Sequence, residues 1–369
     1  MRLTVALPAV LALAALLLPL PWLMVAPNRL LPGVPLPALD ALGWQAASTG
    51  LLILAALPPR MPAPVAACAA LAASLLLTAA TGMAAEHALE GRSAAARAGF
   101  GIGFWLALAG SLALCLARGA LLGTVGRVAL MLGGAAATAL LFASGILNAL
   151  SLVVEYQARA AAVNAAVVQH LLLAGAALLL ALLLAVPLAW ASFRLPRLAV
   201  PTGAAFAAVQ VVPGIALFAL LIPLLAAVLA AFPALRELGL AAIGPAPAVI
   251  ATTAYLTLPL FRSVLGGLAA ANPHAVAAAR AMGMGETRVT WEVRIPLALP
   301  VFIGGLRVAL VQAIGLMTLG GLVGAGGLGA VVFEGLAQFA SDLMLLGALP
   351  IVALALVADT VVGAAERRT

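Results

Sequence analysis

The side chains able to do covalent or metal chemistry are few in this sequence, and they are scattered. His87, His170 and His274 lie far apart and lack metal-ligand spacing. No order or spacing of Ser, His and Asp, and no pair of carboxylates, makes a catalytic set. Cys68 and Cys115 sit inside apolar runs, too distant for a motif, and read as small core- or lipid-facing groups. What stands apart is a polar island, Asn272 to Arg294, reading NPHAVAAARAMGMGETRVTWEVR and followed by IPLALP. Apolar types make up 66% of the chain and charged types 8%, so most of it can sit in lipid and this stretch cannot. Its chemistry is docking.

Asn272-Pro273 reads as a helix cap followed by a first-turn proline. Strong helix formers run from His274 to Met284, and Gly283 and Gly285 end the helix. Ala277, Ala278 and Ala281 leave a low surface able to sink into a groove. Met282 and Met284 add adaptable apolar contact. Arg280 and Arg288 belong at the rim, where a guanidinium pairs with carboxylates of a partner. Trp291 and Val293 return the chain to the interface, and Pro296 and Pro300 shape entry into the next apolar run. An amphipathic loop lying on the membrane is the bland alternative, and the short length and glycine turn favour docking.

The elements that must hold this island are membrane helices. Crossing the roughly 30 Å hydrocarbon core takes about 20 mostly apolar residues as a helix. The short alternating segments of a β-barrel are absent, so the expected fold is an all-α polytopic membrane protein. Ten spans are expected, at about 3–26, 40–57, 62–80, 99–117, 128–147, 169–191, 199–229, 240–265, 297–320 and 343–363. The first reads as a retained helix rather than a signal peptide. The runs 199–229 and 240–265 contain proline and are candidates for bending or re-entry. The net charge of +7 would suit nucleic acid, but all the basic residues are Arg and most lie in short connections. Nucleic acid is therefore not an expected partner.

With the N-terminus inside, twelve arginines fall on the cytoplasmic side: Arg2, Arg60, Arg118, Arg127, Arg194, Arg197, Arg262, Arg280, Arg288, Arg294, Arg367 and Arg368. Arg29, Arg92, Arg97, Arg159 and Arg236 fall outside, and Arg307 lies just inside a span. This bias predicts that both termini and the island face the cytoplasm.

The chain divides near residue 160, with an external amphipathic connector over Asn148–Gln169 that carries Glu155 and Arg159 at i,i+4. All the machinery-like features lie in the second half. Gln210 is polar in mid-span and precedes the helix break Pro213-Gly214, so it is a candidate lining of a passage, as are Tyr255 and Thr257 before Pro259. The run Gly320 to Gly329 is too rich in glycine for a straight helix. Gly324, Gly326, Gly327 and Gly329 then suit a hinge near an external gate, or close backbone approach between paired copies. It is not a phosphate loop, since no Lys-Ser/Thr follows. Glu334 and Asp342 read as part of an external turn, and Asp359 as an interfacial acid able to pair with an Arg.

The island also resembles a known element. Ala277-Ala278-Ala279, three residues, Gly283, nine residues and Val293-Arg294-Ile295-Pro296 is similar to the EAA loop of ABC importer permeases. That loop reads Glu-Ala-Ala, three, Gly, nine, Ile-x-Leu-Pro, and Ala277 stands here at its Glu position. Further segments resemble the osmoprotectant branch: His170-Leu171, Gln210 to Leu217, Ile243 to Ala248, Leu258 to Arg262, Gly304 to Arg307 and Leu322 to Gly329.

The resemblance implies a five-span extension over 1–160 and a type I, MetI-like permease core over 161–363, with a coupling loop at 272–296. It implies Ala277, Ala278, Arg280, Met282, Gly283, Met284 and Pro296 as the contact to an ATPase. The chain would bind no cofactor itself, with ATP-Mg on the partner subunit. The implied partners are two ATP-binding cassette subunits, a second permease copy or paralogue, an external solute-binding protein and the lipid bilayer of a bacterial inner membrane. The implied cargo is a small quaternary ammonium osmolyte such as glycine betaine, choline or carnitine. The same machine carrying an amino acid, or an ion-coupled carrier using Asp359 or Gln210, are the other readings.

Overall fold

The computed structural model describes residues 2–29, 31–237 and 239–366, the side chains of Arg2 and Thr124 apart. Arg367 and Arg368 of the charge count lie outside the described residues. The chain forms two compact units, Met1–Ala158 and Arg159–Thr369.

In the first unit, α1 (Arg2–Leu17) leads into β1 (Pro21–Ala26), β2 (Val34–Pro37), α2 (Ala38–Leu42), α3 (Trp44–Ala55) and α4 (Ala63–Leu89). β3 (Arg97–Phe100), α5 (Ile102–Gly119) and α6 (Thr124–Ala143) follow. The helix expected over 3–26 thus stops early. Pro19 and Pro21 cannot donate to a helical ladder, and β1 forms instead the centre of an antiparallel sheet ordered β2-β1-β3. This small sheet is an addition to the all-α expectation.

Trp22 on β1 is fully buried and donates from Nε1 to Thr81 Oγ1 on α4 at 3.0 Å, with Phe104 edge-on at 5.8 Å. The run 40–57 is likewise two helices, parted at Gly43, whose φ of 54° suits glycine. Past the end of α3, buried Arg118 donates to the carbonyls of Ala56, Leu57 and Pro58 at 2.8, 2.6 and 2.9 Å. A guanidinium read as a loop charge is therefore a fastener for freed backbone.

The stretch α7 (Ser151–Arg194) is two helices that meet at a kink with non-helical dihedrals at Arg159, where the second unit begins, and the later helix takes in the end of the expected connector and the following span. α8 (Ala199–Val211) and α9 (Gly214–Ala231) split the expected run 199–229 at Val212-Pro213. Proline disfavours the helical region in the residue before it, and Val212 is extended with ψ 126°. α10 (Pro245–Ala269), α11 (Pro273–Ala281), α12 (Glu286–Val289), α13 (Ile295–Met317), α14 (Gly327–Ala337) and α15 (Ser341–Glu366) complete it. Where an external turn was expected around Glu334, α14 is a short apolar helix. Its Glu334 accepts from Arg159 Nη1 at 2.6 Å. Among the described residues, eight helices are long and apolar enough to cross a membrane, not ten.

The interior of this unit is built on small residues. Ala174, Ala177, Ala181, Ala185 and Ala189 form a buried stripe down α7, the spacing of one helix face. α10 and α13 approach so closely that a Cβ on Gly305 would lie 2.2 Å from Ser263 Oγ, and one on Gly267 would lie 3.0 Å from the Ala298 carbonyl. Packing of this kind holds helices together where lipid offers no hydrophobic drive. Gly305→Leu should therefore lower stability by about 1–3 kcal/mol through overpacking. Gly266→Ala, whose Cβ would meet nothing within 4 Å, should be near neutral. Thermal unfolding of the two variants in one detergent checks the contrast.

Candidate functional site: the polar loop and the glycine turn

The island 272–294 folds from its own local chemistry. Asn272 caps α11, its Oδ1 accepting from the His274 N–H at 2.9 Å, and Pro273 occupies the first helical position. At the other end the Gly283 N–H reaches the Arg280 carbonyl at 2.9 Å and the Met284 N–H reaches Ala279 at 3.1 Å. This is the Schellman pairing, which needs a left-handed residue after the cap. Gly283 supplies it with φ 84°. Gly285 has an ordinary φ of −68° and only precedes α12.

The two methionines part company. Met282 is 75% exposed, whereas Met284 packs with Ala271, Val276, Ala279, Val289 and Val293 in a small core beneath the helix. Ala277, Ala278, Ala281 and Met282 are left as the outer face. Ala277 stands at the fifth position of α11, beyond the first turn where a carboxylate would favour the helix dipole. Its place in the resemblance is thus a surface position rather than a start signal.

Arg280 donates from Nε to Glu286 at 2.6 Å and Arg288 to Glu292 at 2.9 Å. The hydrogen bond to Glu286 holds the Arg280 guanidinium above its ordinary pKa. Both rim arginines therefore already have a carboxylate within the chain, in exposed pairs that salt weakens.

The second arm of the island runs straight into α13. Pro296 has no N–H to continue the ladder, and residues Thr290–Arg294 form a π turn in which the Ile295 N–H reaches Thr290. Pro296 is exposed on this helix start.

Gln210, Pro213 and Tyr255 do come together, around the break between α8 and α9. Gln210 Nε2 donates to the Tyr255 carbonyl at 2.8 Å, and the Tyr255 hydroxyl donates to the Val212 carbonyl. The Val212 carbonyl at the break is thus answered by a side chain, while the Val209 carbonyl that Pro213 cannot serve accepts from the Val212 N–H at 3.2 Å. Thr257 is buried and returns its hydroxyl to Thr253 of its own helix at 2.7 Å.

The glycine run is a turn packed within its own unit. After a 3-10 stretch at Thr318–Val323, Gly324, Gly326 and Gly327 take φ values of 79°, 79° and 65°, the last of them opening α14. A Cβ on Gly329 would lie 2.1 Å from the Thr318 carbonyl. Gln169 on α7 clamps this turn. Its Nε2 donates to the Ala325 carbonyl and its Oε1 accepts from the Gly327 N–H, both at 3.0 Å, in the space left by the missing Cβ of Gly326. His170 beside it is fully buried and donates from Nε2 to Ile314 at 2.9 Å. Sequence reading missed Gln169; a Gln-His pair opening an apolar run was the available signal.

Asp359 meets Arg307 in a two-pronged pair at 2.6 and 2.7 Å, and Glu366 joins at 3.3 Å. With Gly304, Val308, Val311 and Gln312 they line a cavity of about 470 Å³. Among the described residues no group of His, Cys, Asp or Glu is placed to hold a metal ion.

Long apolar helices, helix breaks closed by side chains and one capped polar loop define a polytopic membrane protein. Residues 199–369 match the family described as binding-protein-dependent transport system inner membrane component, and residues 1–153 match the N-terminal domain of the ABC transporter permease YehY. The chain belongs to the former family and is a membrane permease subunit of an ABC importer. It is 32% identical over 200 residues to the carnitine transport permease protein OpuCB of Listeria monocytogenes, covering 54% of this chain and 84% of that one. It is 38% identical over 192 residues to the osmoprotectant import permease protein OsmW of Salmonella typhimurium, covering 52% and 84%. Among solved structures it is similar to the inward-facing methionine transporter MetNI, at 20% identity and a TM-score of 0.49 over 56% of this chain and 95% of that one.

The clamp is testable. Gln169→Leu removes both hydrogen bonds to the turn, a loss of about 1 kcal/mol for each. Amide hydrogen exchange at Gly327 should accelerate by tenfold or more, with exchange in α5 unchanged; equal protection in both proteins would show the turn to be held otherwise.

Proposed function

We propose that this chain forms the passage of an ATP-driven importer for small quaternary ammonium osmolytes. What supports the cargo is identity of 30–38% along about 200 residues to permeases named for carnitine, choline, glycine betaine and osmoprotectant import. Such cations are normally held over aromatic faces, and aromatic residues are only 5% of this chain. High-affinity recognition then belongs to an external binding protein, with the permease giving a weak passage. Gln210 and the Tyr255-closed break at Pro213 lie along that passage, and the turn at Gly324, Gly326, Gly327 and Gly329 serves as its external gate or hinge.

Two copies, or this chain and a paralogue, pair in the inner membrane with the termini and α11 in the cytoplasm. Each α11 seats Ala277, Ala278 and Met282 in a cleft of one ATP-binding subunit. Arg280, Met284 and Gly283 set the shape of that face, and Pro296 sits where α13 departs. ATP-driven closure draws the two loops together and opens the passage outward; hydrolysis and reopening release cargo inside. Residues 1–160 form a membrane extension of this core.

The capped end of α11 carries the coupling reading. A β-branched side chain at a left-handed position costs about 1–2 kcal/mol locally, so Gly283→Val should cut ATP-driven uptake at least tenfold while leaving the protein in the membrane. Gly285→Ala should retain most of it. Undiminished uptake by Gly283→Val in proteoliposomes containing the ATPase and binding protein would remove the docking assignment.

For the cargo, unlabelled carnitine and choline should compete with labelled glycine betaine in the same assay. Competition by amino acids alone would transfer the machine to a different solute.

A further inference from the structure

At the end of α7 that lies beside the polar loop, an apolar groove of about 260 Å³ opens between α7, α10 and α13. Its walls include Val186, Trp190, Val264, Leu268, Leu299 and Phe302. Two guanidinium groups touch these walls. Arg194 lies with its Cζ 5.1 Å from the centre of the Trp190 ring. Arg294 lies 5.3 Å from the centre of Phe193 and donates from Nη1 to the Leu268 carbonyl at 3.3 Å. Trp291 is 63% exposed and stands 6.4 Å from Trp190.

Nearby charge is unbalanced. Glu286 and Glu292 are engaged by Arg280 and Arg288. Among the described residues no carboxylate lies within 4.0 Å of Arg194 or Arg294. An arginine that lays its face on an aromatic ring keeps its in-plane N–H groups available. Those groups match phosphate oxygens in bidentate geometry. Glu286 feels both groups through space without touching either. An apolar groove at a span end, two guanidinium groups with no carboxylate in contact at its mouth and an exposed tryptophan beside them match a lipid whose chain is buried and whose phosphate sits at the interface.

We infer that this groove is a binding site for one anionic glycerophospholipid, with an acyl chain between Val264 and Phe302 and the phosphate on Arg194 and Arg294. The lipid would bridge α7, the end of α10 and the start of α13, next to the π turn. This assignment concerns the surface of the spans and does not depend on the cargo.

The test uses the full chain in detergent with mixed micelles of phosphatidylglycerol and phosphatidylcholine, and native mass spectrometry to count retained lipid. The wild type should retain phosphatidylglycerol at least tenfold more tightly than phosphatidylcholine. Arg194→Gln with Arg294→Gln should abolish the preference, and Arg194→Lys with Arg294→Lys should keep most of it, which guards against a folding defect. Val264→Trp, which fills the groove and leaves the charges, should weaken retention of either lipid. Equal retention of the two lipids by the wild type, or an undiminished preference in the double Gln variant, would overturn the assignment. Wild-type retention in Val264→Trp would overturn the chain's place in the groove.

Discussion

Inside a bilayer every backbone N–H and carbonyl must find a partner in the protein, because no water is there to supply one. This fold breaks its helices repeatedly and answers several of the breaks with a chosen side chain. Arg118 gathers three carbonyls beyond α3. Tyr255 takes the carbonyl of Val212, and Gln169 takes one donor and one acceptor of the glycine turn. The π turn before α13 solves the same problem without a side chain, by reaching back five residues where Pro296 cannot donate.

Close packing is the companion of these repairs. Alanine along α7 and glycine on α10 and α13 bring backbones within reach of one another, so that a polar side chain as short as Thr253 acts between helices. The Arg307 pair with Asp359 extends this between α13 and α15, and it occupies both carboxylate oxygens of the acid an ion-coupled carrier would use.

Local signals were the legible part of the sequence. The cap at Asn272, the helix after Pro273 and the stop at Gly283 follow from short-range rules, and the structure places them where those rules do. The membrane helices were legible from apolar length. Spans that fail depend on long-range partners: the run 3–26 ends in a strand because Pro19 interrupts it and β3 is available to pair with β1. The connector's Glu155 and Arg159 are answered by distant Arg29 and Glu334, partners that no local rule foretells. The burial of Met284 was illegible for the same reason, since its neighbours Ala271 and Val293 lie across the turn.

The Schellman end of α11 leaves the outer face of this helix sparing in polar groups. The carbonyls of Ala278, Ala279 and Arg280 accept internally, Arg280 and Arg288 are tied to Glu286 and Glu292, and apart from the exposed His274 that face presents methyl groups and one thioether. A body resting on that face meets relief but few directional bonds. In the proposed coupling role its grip is one of shape, and release strands neither Arg280 nor Arg288, each of which keeps its own carboxylate.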